Sequence, residues 1–117
     1  MPYTIQETKT YPYPPDVVFA AAVGAVEGLE GKVNKQDPQA GTLEMKFPKT
    51  IHGKVLGDRT EAHVTLTAES PDSTVMAVTI YPVDPVGRKL MFGARKGVPR
   101  TVLTWFFAHV EHRLKSA

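Results

Sequence analysis

The sequence predicts an α+β two-layer sandwich. An antiparallel sheet of about five strands carries an N-terminal helix and a long C-terminal helix on one face, in the order β-α-β4-α. Three observations support this. Residues 97–116, GVPRTVLTWFFAHVEHRLKS, repeat their apolar side chains with a helical period. Residues 42–47 and 60–69 alternate apolar and polar side chains, as half-buried strands do. SPDS, 70–73, is a tight turn with proline and aspartate in favoured places, so the strands on either side pair antiparallel.

The final helix is the clearest element. At about 100° per residue, Leu103, Phe106, Phe107, Val110 and Leu114 share one arc, with Val102 at its edge. Such a stripe lies on a core. Pro99 falls in the first turn, where a missing N–H costs nothing. Arg113 and Lys115 fall in the last, where positive charge suits the helix dipole. Trp105 sits roughly opposite the stripe with Thr101, Ala108, His109 and His112. Two readings stay open. Trp105 lies flat over a neighbouring loop or helix, or it joins His109 and His112 in a contact surface for a partner or a second copy of the chain.

The other elements follow in order. Residues 3–11 read as a strand, stopped by Pro14 and Pro15. Residues 15–29 read as a helix opened by Pro15, with Val18, Phe19, Val23, Val26 and Leu29 as its larger apolar residues. Ala20, Gly24 and Gly28 recur every four residues as a smooth ridge. The ridge reads as close packing inside the protein, with a dimer seam as the alternative. Residues 30–37 form a weak edge strand guarded by lysines. In 42–47, Leu43, Met45 and Phe47 face one way. Residues 48–59 are a loop or irregular hairpin. In 60–69, Ala62, Val64, Leu66 and Ala68 face in. Residues 74–81, apolar on both faces, suit a central strand. Leu90, Met91 and Phe92 are candidates for one more short strand.

Composition narrows the function classes. A chain of 117 residues fits a single domain, 1–117, with a real core. The absence of cysteine excludes disulfides, thiolate metal sites and thiol nucleophiles. The first residues lack the charged start and apolar run of a signal peptide, and no stretch approaches the roughly 20 apolar residues of a membrane span. The expected compartment is therefore the cytoplasm, with no transmembrane segment. A net charge of +2 is too small to imply nucleic acid, which is disfavoured as a partner.

The segment PPDVVF, 14–19, resembles the proline-led first helix of START-like and polyketide-cyclase-like proteins of the helix-grip superfamily. The element order resembles the same superfamily across nearly the whole chain. It also looks like one half of the TATA-binding protein, which shares the strand–helix–strands–helix topology. This chain lacks the paired phenylalanines by which that protein kinks DNA. It is also short, leaving little room for a large cavity. The helix-grip resemblance implies an apolar ligand pocket between sheet and final helix, with Phe19, Val64, Leu66, Val78, Phe106 and Val110 as candidate lining residues.

Few residues point to chemistry. His109 and His112, three apart on one helix face, could share a metal only with a third ligand from elsewhere; they read as surface histidines, and no metal is expected. His63, beside Glu61 and Glu69, projects from the wet side of the sheet, where nothing excludes water. No GxSxG, P-loop or dinucleotide glycine pattern occurs. Asp37, Asp72 and Asp84 adjoin prolines and read as turn formers. The reading leans away from an enzyme, and no cofactor is expected. The strongest local signal is GRKLMFGARKGVPR, 87–100, basic throughout and leading into a helix N-terminus, where an anion is favoured. Arg95, Lys96 and Arg100 are its candidate anion-binding residues, against the plainer reading of a solvated basic loop. The expectation is a small soluble binding module that holds an apolar or amphipathic molecule between sheet and C-terminal helix. Its rival is a homo-oligomeric or protein-interaction module with a filled core, using the Trp105 surface.

Overall fold

The computed structural model describes residues 3–90 and 97–116. The elements run β1 (Ile5–Tyr11), α1 (Pro15–Gly28), β2 (Lys32–Asp37), β3 (Thr42–Phe47), β4 (Thr50–Ile51), β5 (Lys54–Val55), β6 (Arg59–Ser70), β7 (Ser73–Val83) and α2 (Val98–Ser116). Five strands form one sheet in the order β1-β7-β6-β3-β2, antiparallel throughout. The short β4–β5 pair stands apart from it. The α+β architecture with both helices on one face is as the sequence predicts.

The core lies between the sheet and the helices. Leu43, Met45 and Phe47 of β3 face it with Ala62, Val64 and Leu66 of β6 and Met76, Val78 and Ile80 of β7. From α2 come Val102, Leu103, Phe106, Phe107, Val110 and Leu114, all buried. Phe47 and Phe106 meet edge to face with ring centroids 6.4 Å apart, an arrangement favoured by the aromatic quadrupole. Polar ties bind α2 to β1. Arg100 Nη1 donates to Glu7 at 2.7 Å. Tyr11 Oη and Lys9 Nζ donate to Glu111 Oε2 at 2.8 and 3.1 Å.

Two expectations need correction. Ala68 is exposed, because β6 runs on beyond the helical layer after Leu66. Residues 74–81 are buried on one face only: Thr74, Met76, Val78 and Ile80 point inward, while Ala77 on the other face is exposed. Leu90 forms no strand, although its N–H donates to Pro82 O beside an isolated bridge from Val83 to Lys89. Met91 and Phe92 lie outside the described residues.

The segment 48–59 holds more order than its sequence shows. His52 and Gly53 make the two-residue turn between β4 and β5, both with positive φ (50° and 80°), the type I′ pattern. Glu30, with φ of 64°, lies just past α1. There Gly31 N–H donates to Val26 O and Glu30 N–H to Glu27 O, the double bond of a Schellman cap. Glu30 and His52 are the two non-glycine positive-φ residues among those described, and they hold each other. The His52 N–H donates to Glu30 Oε1 at 2.7 Å, and His52 Nε2 donates to Gly28 O at 2.6 Å.

Candidate functional site

The six residues predicted to line an inner pocket, Phe19, Val64, Leu66, Val78, Phe106 and Val110, are all packed in the core at 8% exposure or less. A large depression lies elsewhere, between the two helices. It is an open groove of about 820 Å³. Asp16, Val17, Ala20 and Ala21 of α1 form one wall, and His109, His112, Arg113, Leu114 and Ser116 of α2 the other.

The small-residue ridge of α1 explains how the groove is closed at one end. A Cβ at Gly24 would meet Arg113 Nη1 at 3.0 Å. One at Gly28 would meet Arg113 Nη2 at 2.8 Å and His109 Nδ1 at 3.1 Å. At Gly24 and Gly28 the ridge is thus filled by side chains of α2, as the packing reading required, while Ala20 is exposed in the groove. Gly28, at the end of α1, meets His109, while Asp16, at its start, faces Ser116; the helices therefore run antiparallel. The Arg113 guanidinium lies along the ridge, and no carboxylate among the described residues forms an ion pair with it.

His109 stands at the inner end of the groove. Burial, followed by the charges of Arg113, His52 and His112, holds its imidazole below the ordinary histidine range, which favours the neutral form. Among the described residues, no third histidine or carboxylate joins His109 and His112 in a set that could hold a metal. His109 also borders a smaller depression with Trp105. Trp105 is half-buried against the core, under the β4–β5 hairpin, with Lys54 Nζ over its ring. Of the three residues of the predicted interface, His109 joins Trp105 in this depression and His112 in the α1–α2 groove.

Of the predicted anion site, Arg100 alone is among the described residues. Arg95 and Lys96 lie outside the described residues. Arg100 is engaged by Glu7. Asp84 is a turn former, as expected: its Oδ1 accepts the N–H groups of Val86 and Arg88. Asp37 likewise accepts from Ala40 N–H. On the outer face of the sheet, Tyr81 Oη donates to Glu61 at 3.2 Å, and His63 Nε2 donates in turn to Tyr81 Oη at 3.0 Å. Burial, then the Glu61 carboxylate, pushes the Tyr81 hydroxyl up to about 12. Among the described residues, no helix is long and apolar enough to cross a membrane.

No protein-family profile matches the sequence, and no curated protein matches it significantly. Solved structures do resemble it. Ara h 8.0201 is 15% identical over 98% of this chain and 99% of its own, with a TM-score of 0.69. A START superfamily protein from Mycobacterium smegmatis is 12% identical over 97% of this chain and 98% of its own, with a TM-score of 0.58. StfQ, a di-domain ARO/CYC from the steffimycin biosynthetic pathway, is 14% identical over 91% of this chain, with a TM-score of 0.63. This chain spans 43% of StfQ. At such identities the likeness is one of architecture, and it agrees with the strand order and the two-helix layer: the chain has the helix-grip fold.

Proposed function

We propose that this protein is a binding module for small amphipathic anions and that the α1–α2 groove receives them. The observation that carries this reading is the Arg113 guanidinium, lying beside an open groove with no carboxylate ion-paired to it among the described residues. Val17, Ala20, Ala21 and Leu114 offer an apolar bed for a hydrocarbon body. Arg113 and the exposed His112 offer charge-assisted hydrogen bonds to a carboxylate or phosphate. Asp16, on the opposite wall, disfavours a second negative charge and so selects a monoanion. The groove falls within the 300–1,000 Å³ usual for small-molecule sites. The helix-grip architecture supports the reading at the level of fold, since the di-domain neighbour is named an ARO/CYC of a biosynthetic pathway.

Methyl NMR with decanoate, using decanol as the neutral control, tests the proposal. Saturable shifts at Val17, Ala20, Ala21 and Leu114 are expected, and Arg113→Gln should weaken decanoate about tenfold while leaving decanol unchanged. Shifts centred on Val64, Val78 and Val110 would move the ligand to the space between sheet and α2. No saturable shift anywhere would overturn the binding reading.

A further inference from the structure

We infer that the smaller depression under Trp105 is a second binding site, built for a flat aromatic carboxylate. It measures about 390 Å³ and is lined by Leu29, Ile51, His52, Lys54, Trp105, Ala108 and His109. Its floor is apolar, with Leu29 and Ile51 each at 1% exposure. Lys54 Nζ stands 5.8 Å above the centroid of the Trp105 ring. The face of the indole, and not its edge, is thus turned toward the β4–β5 hairpin. An aryl ring can lie against that face, where offset stacking adds to area burial.

The charge at the rim is that of Lys54. Lys54 and the two histidines line the depression, and no carboxylate does. Among the described residues, Lys54 makes no ion pair. The nearby Glu30 carboxylate already accepts the His52 N–H. His109 lines the depression and can donate one hydrogen bond through a ring N–H. A carboxylate on the stacked ring would therefore meet Lys54 first and a ring N–H of His109 second.

The hairpin wall is held in place before any ligand arrives. Glu30 and His52 both occupy the left-handed region, which non-glycine residues enter at a cost, and residues so held cluster at functional sites. Here the two join in one clasp that anchors the wall facing Trp105. Fixing that wall in advance lowers the ordering cost of binding. The site shares only His109 with the α1–α2 groove, so it does not depend on the reading of that groove.

The chain contains one tryptophan, so one indole N–H resonance reports on the site. Titration with 1-naphthoate should shift that resonance saturably. Lys54→Gln should weaken 1-naphthoate about fivefold to tenfold, and Lys54→Arg should retain it. Cyclohexanecarboxylate, which keeps the charge and lacks the aromatic face, and 1-naphthalenemethanol, which keeps the rings and lacks the charge, should each bind at least fivefold more weakly. Arg113→Gln should leave 1-naphthoate binding unchanged. The inference is overturned if no saturable shift occurs, if either control binds as well as 1-naphthoate, or if affinity follows Arg113 and ignores Lys54.

Discussion

Gly28 and Gly31 show how much a single hydrogen in place of a methyl can matter, and how differently. A methyl at Gly28 would meet the ends of Arg113 and His109, side chains that can swing away. A helical alanine also gains about 1 kcal/mol over glycine. Gly28→Ala should therefore stay within about 1 kcal/mol of wild type in urea denaturation and yet lose decanoate affinity, because Arg113 is displaced. A methyl at Gly31 would meet the Lys46 carbonyl oxygen at 2.8 Å and the Phe47 ring at 2.8 Å. Backbone cannot swing, so Gly31→Ala should cost about 1–3 kcal/mol in the same measurement. Glu111 gives a pH prediction. Burial would raise its carboxyl, but hydrogen bonds from Tyr11 and Lys9, with the nearby lysine charges, prevail and hold it below 4.5. Its stabilising effect is therefore full above that ordinary value and is lost as pH falls through the lowered one. Burial, then Glu111, pushes the Tyr11 hydroxyl upward, so its contribution persists to pH 10 and is lost above it. Tyr11→Phe should cost about 1.5 kcal/mol at pH 7 and move the Glu111 carboxyl upward in an NMR titration. The ridge of Ala20, Gly24 and Gly28 was legible in the sequence as packing. Its partner was not, because nothing local links Gly24 to an arginine near the far end of the chain.

Among the elements, the β4–β5 hairpin departs most from its sequence pattern. Two residues per strand are too few for alternation to register, and the turn is His-Gly where Asn-Gly would have announced it. Histidine is nonetheless one of the side chains enriched at positive φ, and that signal was present in IHGK. Glu30 was equally hidden: a glutamate after a helix carries no mark that it caps the helix and grips a turn at residue 52. Removing the grip tests its role. Glu30→Ala keeps the unfavourable φ and loses the acceptor, so it should cost about 1 kcal/mol and speed hydrogen exchange at the His52 amide, with the β3, β6 and β7 amides unaffected. The longer elements were readable, save for the exposed Ala68 of β6 and the one-sided burial of β7. β3 and β6 alternate over enough residues to fix a face. β2 has the exposed lysines and the register shift at Val33/Lys35 of a protected edge.

For the whole molecule, a one-sided sheet leaves its stability concentrated in one shared layer. Phe106, at 1% exposure and against Phe47, sits in the middle of it. Phe106→Ala should cost about 3–5 kcal/mol, a large share of the roughly 5–15 kcal/mol available to a domain of this kind, and calorimetry should show the melting temperature fall accordingly. The architecture was legible because burial on one face imposes a period on every long element. The groove was not, because it arises where the first helix meets the last, and each helix alone supplies only one of its walls. The overhang of β6 and β7 has a practical corollary. Thr67 to Ser70 and the turn at Pro71 and Asp72 are exposed, so this tip reaches past everything the helices cover. Ten glycine and serine residues spliced between Pro71 and Asp72 would lengthen a closed loop without touching the interior, at an entropic cost of about 1.5 kcal/mol. The fingertip of this hairpin is thus a natural port for grafted peptides or fluorescent labels.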